Sequence, residues 1–538
     1  MLRKVGLYYR TLRHLRREQV QYRLYYLLRR RWRRFRPVSY PAWNGQSAPI
    51  QLADSIASYE SWDCEGGFRF LNLAHDFGTP AQIDWEFAEF GKLWTYNLCY
   101  FEFLVQPQVS QAQGLAIIRA FIRQYPQLKT AAEPYPTSLR IIFWIRFLRQ
   151  HQIQDAEIDR ALYVQAQTLA DHLEYHLLGN HLLENGFGLW FAAVYFQDLP
   201  LLRKAEAILK PELTEQIMAD GAHFERSPMY HSIMLYRVLD CLNLARHNMA
   251  IFQPCANWEN RFAEKAALML GWLMNMTFPD GRYPHWADAA PEIAPVPQAL
   301  FDYARRLGVE PRIMPLGESG YRRMDWDAFS LMVDVGDIGP DYIPGHAHAD
   351  TFSFVLNVDQ QPYIVDTGIS TYEKNARRQS ERATSAHNTV QIGAHEQSEV
   401  WGGFRVGRRA YVRILEEQPD SSTKGFRLRA EHNGYAHLGG RHARCFAREG
   451  DDLVIEDVVT APAGEFVYAY LHFAAGVEVQ IAGQTLVSPS AIIHLEGATH
   501  LQIVPYALAN GYNQFATHAV KAIITFENRL LTRITTTK

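Results

Sequence analysis

Cysteine is scarce in this 538-residue chain, and the five present, Cys64, Cys99, Cys241, Cys255 and Cys445, are scattered, odd in number and without a CxxC pair. That usage excludes a thiolate metal site or redox couple of the usual spacing and argues against a disulfide scaffold; buried free thiols are the expectation. Long apolar runs are also lacking. In the opening MLRKVGLYYRTLRHLRREQVQYRLYYLLRRRWRR arginines break every apolar stretch well short of the roughly 20 residues a spanning helix needs. The same segment has no continuous apolar core and no small-residue cleavage site, so it does not read as a secretory signal. No 34- or 40-residue repeat is visible, which disfavours a regular helical solenoid. Acidic residues are nearly missing from one region: residues 1–36 hold thirteen Lys or Arg against Glu18 alone, for +12, while the rest holds 41 basic and 56 acidic residues, for −15, and a net charge of −3 conceals the split.

What is present describes a soluble globular protein, 48% hydrophobic and 21% charged, too long for one ordinary core. Leu and Tyr at helical spacing interleaved with Arg make residues 1–36 a basic amphipathic arm. Two uses fit it equally: peripheral contact with an anionic membrane, or packing on the acidic body. Nucleic acid is not expected, because no reading motif accompanies the basic arm. Residues 37–83 read as an irregular connector with one strand at GGFRFLNL. Nine segments between residues 85 and 308 carry apolar residues at i, i+3, i+4 spacing and are expected to be helices closing into a toroid. Beyond about residue 320 the apolar period falls to two, in a dozen short runs separated by Gly, Asp, Asn or Pro, which predicts an antiparallel β-sandwich. The organisation expected is therefore an arm at 1–36, a connector at 37–83, a toroid at 84–318 and a sandwich at 319–538.

Three polar clusters interrupt these patterns. Asn180, His181, Glu184 and Asn185 open an otherwise apolar helix, with Asn180 placed to cap it. In ERSPMYH, Ser227 is placed to cap a long helix with Pro228 at its first position, bringing Tyr230 and His231 into the opening turn. The third cluster is PGHAHAD at 344–350, followed by Asp366 ending a strand and by His387 in SAHNT. Its paired histidines, carboxylate and third imidazole form an N,N,O donor set suited to a metal, although histidines two apart also arise by chance.

HLLENG, ERSPMYH, GHAHADTFSF, VDTG and HNTV, in this order and at these separations, resemble the heparinase II/III polysaccharide lyases over approximately residues 84–410. The resemblance implies an α+β multidomain fold, an incomplete (α/α) toroid followed by an antiparallel β-sandwich. It also implies cleavage of a uronate-containing acidic polysaccharide by β-elimination, leaving a 4,5-unsaturated uronate. By the same resemblance Asn180 and His181 face the substrate carboxylate, Tyr230 is the catalytic tyrosine and His346 the histidine from the sandwich. His348, Asp366 and His387 match the ligands of a divalent metal, zinc, with a structural role; no organic cofactor is implied.

Those residue types suit the reaction. An amide and an imidazole bonded to the carboxylate stabilise charge that develops as C5 loses its proton. Tyr230 suits the acid that protonates the leaving oxygen, with His346 as base on the other face for one uronate epimer and Tyr230 in both roles for the other. For Tyr230 to act as a base, nearby cations such as His231 or Arg226 must depress its pKa, or deprotonation must be concerted. Glu184 falls where some family members carry a functional glutamate, Arg140 and Arg226 suit acidic groups of the polymer or, equally, internal ion pairs, and Tyr135 suits a sugar platform. Trp94 and Trp286 are read first as core. Two other readings share this fold: a glycoside hydrolase, which needs two carboxylates across a cleft, and a non-catalytic polysaccharide-binding or assembly protein. The zinc donor set also fits a metallohydrolase. The sequence places the chain in bacterial cytoplasm or at an inner membrane, whereas the resemblance implies the periplasm.

Overall fold

The structure is a computed structural model in which residues 2–537 are described, apart from 37, 42, 44 and 420–424. The arm forms two helices rather than one, α1 (Leu2–Leu12) and α2 (Arg17–Arg33). The chain breaks between them where the Gln19 side chain accepts the Arg16 backbone N–H at 2.9 Å, a start signal for α2. Residues 67–76 form a hairpin, Gly67–Phe70 against Leu73–Asp76, where one strand was expected. Its two turn residues, Leu71 and Asn72, both have positive φ, the requirement of a tight I′ connection that Leu does not advertise.

Among the described residues nine helices follow before the sheets: α3 (Lys92–Tyr100), α4 (Gln111–Gln124), α5 (Pro134–Gln150), α6 (Ala156–Asp171), α7 (Gly179–Phe196), α8 (Leu199–Gln216), α9 (Pro228–Asn248), α10 (Cys255–Met276) and α11 (Pro297–Arg306). They pack as hairpins into an incomplete (α/α) toroid around one continuous aromatic and aliphatic core. Helices α5 and α7 are buried nearly all round, and most of their residues are accordingly apolar. Gly188 lets them touch, since a Cβ there would come within 2.8 Å of Ser138 Cα. None of the described helices is long and apolar enough to cross a membrane.

From Tyr321 the chain is an antiparallel β-sandwich. A four-stranded sheet (Tyr321–Trp326, Phe329–Asp334, Phe354–Val358, Gln361–Ile364) faces a ten-stranded one with the long pair Ala491–Pro505 and Val520–Thr536 in its interior. Leu331, Phe354 and Leu356 of the first share a core with Phe446, Ile455, Ile493 and Ile524 of the second. Trp94 and Trp286 are both fully buried core residues, and all five cysteines are free.

Candidate active site

A cleft of about 710 Å³ lies between the toroid and the sandwich, with Tyr135, Asn180, His181, Tyr230 and His346 in its wall. The local sequence explains how each arrives. Every residue of α7 is buried except His181, which its first turn presents to the cleft beside Asn180. Asn180 is not the cap. Leu178, at φ +66, occupies that position without a side-chain bond, and Gly179 follows at φ +61 where a Cβ would meet Ile343. The exposed N–H groups of the helix start are met instead by Glu225, which accepts the Asn180 backbone N–H at 3.1 Å and its Nδ2 at 2.9 Å. His181 Nδ1 lies 3.1 Å from Glu174 Oε1. Burial works against the charged imidazole, but Glu174 more than compensates and raises its pKa.

At the start of α9 the Ser227 hydroxyl accepts the Tyr230 N–H at 3.2 Å with Pro228 in the first turn, as expected. The same hydroxyl donates to the Asp288 carbonyl at 2.7 Å, joining α9 to the loop between α10 and α11. Tyr230 stacks on His346 with ring centroids 3.8 Å apart and accepts a hydrogen bond from Tyr372 Oη at 3.1 Å. Burial raises the Tyr230 pKa well above that of an ordinary phenol. The expectation that His231 or Arg226 depresses it is wrong: burial pushes the His231 pKa down to about 3, so that residue is neutral, and its Nε2 bonds the Met269 carbonyl.

His346 comes from an irregular sandwich segment, and Asp288 holds it. Asp288 Oδ2 lies 2.7 Å from His346 Nδ1, and Oδ1 lies 2.9 Å from His348 Nε2. A carboxylate accepts only, so both those nitrogens carry hydrogen, and in a neutral imidazole His346 Nε2, 3.5 Å from Asn180 Nδ2, then presents its lone pair. Burial alone would raise the Asp288 pKa, yet the buried Arg378 guanidinium, bonded to both its oxygens, holds it well below the usual carboxylate range. Arg382 fixes the same segment by donating twice to the Ala347 carbonyl, at 2.8 and 3.1 Å.

Three of the predicted substrate contacts are placed elsewhere. Arg140 is fully buried in the toroid, where it bonds Gln165, Thr137 and the Cys99 carbonyl and lies 4.5 Å over Phe121. Glu184 is fully buried against Arg237, at 3.1 Å, one turn too deep along α7 to reach the cleft. Arg226 donates to the Asp337 carbonyl while its own carbonyl accepts from Tyr321 Oη, pinning toroid to sandwich outside the cleft. Tyr135 does line the cleft, 4.6 Å from the His181 ring. The positive charge comes from residues the sequence reading did not single out, Arg23, Lys92, Lys374, Arg405 and Arg409. Asp288, Arg378 and Tyr372 were missed as well. The one available signal was an aspartate inside the apolar run WADAA.

The three expected metal ligands lie together, but among the described residues no group of three or more His, Cys, Asp or Glu is assembled to hold an ion. Asp366 Oδ2 instead pairs with His387 Nδ1 at 2.7 Å, and Asp366 Oδ1 accepts from Gly368 N–H. His348 Nδ1 and His387 Nε2 are nevertheless both buried without a partner, on rings 5.3 Å apart. Two unpartnered imidazole nitrogens in a dry interior are the donor chemistry a zinc-like ion takes.

Comparison with known proteins agrees with this architecture. The heparinase II/III N-terminus model matches residues 134–306 and the heparinase II/III-like C-terminal model matches residues 310–536, together most of the chain. The chain belongs to the heparinase II/III family. A heparin-sulfate lyase of Pedobacter heparinus is 25% identical over 253 residues, a match that covers 41% of this chain and 38% of that protein. Among solved structures, heparinase III superposes with a TM-score of 0.71 at 16% identity, covering 93% of this chain and 88% of that one. Heparan sulfate lyase HepC from Pedobacter heparinus does so at 0.57 and 15%, covering 88% and 81%. At these identities the structural likeness is one of fold.

Proposed function

We propose that this chain is a polysaccharide lyase that cleaves an acidic polymer by β-elimination beside a uronate. The observation that carries the reading is the Tyr230–His346 stack, 3.8 Å between centroids, with Asn180 and His181 beside it in a cleft rimmed by Lys and Arg. A basic rim draws in a polyanion. His181, raised in pKa by Glu174, and the second N–H of the Asn180 amide are donors for the uronate carboxylate, stabilising charge as C5 loses its proton. Tyr230, held protonated by burial, is the acid for the leaving oxygen. His346 Nε2, freed as an acceptor by the Asp288 bond at Nδ1, is the base when the C5 hydrogen lies on its side.

Hydrolysis is less well supported. Glu225 and Asp288, the carboxylates beside His346, are buried and already bonded, one to Asn180 and the other to His346, His348 and Arg378. A structural divalent metal, zinc by ligand type, would be held by His348, His387 and Asp366, and when bound would rigidify the segment that presents His346.

The test is the ultraviolet absorbance of a conjugated 4,5-unsaturated uronate over a panel of acidic polysaccharides, heparin and heparan sulfate first because of the relatives' names. A rise with wild type that Tyr230→Phe abolishes is expected. Reducing ends appearing without that absorbance, and unaffected by the substitution, would overturn the reading.

A further inference from the structure

The arm's helices meet the body along one side only. In α2 the body is met by Gln19, Tyr22, Tyr26, Arg29 and Arg33, spaced by three and four, with Arg23 beside them on the His176 carbonyl: Gln19 lies on the Leu177 carbonyl, Tyr22 is stacked on Tyr175, Tyr26 bonds the Leu173 carbonyl, and Arg29 and Arg33 pair with Asp171. Val20, Leu24, Leu27 and Leu28 lie on the opposite side at the same helical spacing, and Leu27 and Leu28 are 64% and 67% exposed. Trp32 and Phe35 extend the surface at 62% and 85%, and α1 adds Val5 and Tyr9. Among the described residues this arm holds eleven of the 26 exposed large hydrophobic side chains, so bare apolar surface is concentrated here, as single scattered residues would not make it.

Charge selects the occupant. Arg10, Arg16, Arg29 and Arg33 are committed to Glu399, Glu215 and Asp171. Arg17 and Arg31 stand on the bare face among the leucines, with Arg30 and Arg34 exposed beside it. Arginine stems can lie along apolar side chains while their heads reach phosphates, and Leu and Trp suit the boundary between headgroups and acyl chains. A second copy of the chain would set the same cationic face against itself, so like charge opposes self-association.

The geometry points to the outward face of α1 and α2, centred on Leu24, Leu27, Leu28 and Trp32, as a docking surface for an anionic lipid bilayer, on which the protein lies without crossing. The rest of the arm grips the body and walls one end of the cleft through Leu12, Leu15, Gln19 and Arg23. Docking would thus hold that end of the cleft beside the membrane. This inference is independent of the reaction proposed for the cleft.

Flotation of the full chain with vesicles tests it, using phosphatidylcholine alone or with phosphatidylglycerol added. Wild type should float with the anionic vesicles, less so in high salt, and stay behind with neutral ones. The combined Leu24→Glu, Leu27→Glu and Leu28→Glu variant should lose flotation while keeping the wild-type melting temperature, because these side chains are exposed. Arg17→Gln with Arg31→Gln should lower partitioning by roughly fivefold per charge removed. Wild type left in the soluble fraction with anionic vesicles, or a triple variant that floats equally well, would overturn the assignment. So would a wild-type dimer in sedimentation that the triple variant converts to monomer, which would give the face to a second copy.

Discussion

On the toroid wall of the cleft, Asn180, His181 and Tyr230 stand in the first turns of α7 and α9, so their backbone positions are set by helices buried almost all round. On the sandwich wall, His346 stands on an irregular segment and owes its position to side chains remote in sequence, Asp288 from the toroid loop together with Arg378 and Arg382. The first wall is fixed by helix packing and the second by a buried ionic network. Packing loses stability gradually when trimmed, whereas a buried ionic network fails when one partner is removed, because the remaining charge is stranded.

That contrast orders the expected effects. Tyr230→Phe removes one hydroxyl from the packed wall, so turnover should fall by about 10² to 10⁴-fold with little change in melting temperature. A comparable loss of melting temperature would show that the hydroxyl holds the wall together. Asp288→Asn removes the centre of the ionic wall, leaving Arg378 buried without a counter-charge; a stability loss of about 3–5 kcal/mol by denaturant unfolding should accompany loss of turnover. If Asp288→Asn proved as stable as wild type, the proposed difference between the walls would be gone.

A third effect concerns pH. In the sandwich, burial alone would raise Asp457, but Arg444 and His442 bring it down to about 2 from an ordinary 3.8. A depressed carboxylate contributes stability above its unfolded pKa and loses it as pH falls through the folded value, so melting should weaken between about pH 4 and 2 by about 2 kcal/mol. Asp457→Asn should flatten that window. In the toroid, burial outweighs Arg237 and pushes Glu184 up to about 7 from 4.5. The sign is then reversed: its contribution is complete below pH 4.5 and is lost as pH rises toward 7, and Glu184→Gln should remove this slope without altering KM. The smallest effect is expected at the rim, where Arg405→Ala or Lys374→Ala should raise KM a few-fold, leave kcat unchanged and matter less as salt increases.

The same contrast explains what the sequence made legible. A Ser-Pro pair opening an apolar helix states locally where Tyr230 will stand, and a His inside an otherwise buried helix marks the side facing the cleft. The alternation beyond residue 320 likewise declares a sandwich. Asp288 and Arg378 carry no comparable local mark, because they meet across 90 residues and only in the folded chain. Arg140 and Glu184 misled for the complementary reason. A charged residue in an apolar helix looks functional in sequence, but here each is neutralised or bonded inside the toroid. The hairpin at 67–76 was seen as one strand because Leu71 does not signal the positive φ it adopts.

The central claim, that Tyr230 and His346 serve an elimination, is tested most directly by the mass of the ends released from a defined acidic oligosaccharide. The account predicts that the fragment bearing the new non-reducing end is one water lighter than its hydrolytic counterpart, that Tyr230→Phe does not form it at an appreciable rate, and that His346→Ala does not form it from the uronate epimer whose C5 hydrogen lies on the His346 side. A fragment of full hydrolytic mass, formed by wild type and by both variants alike, would contradict it.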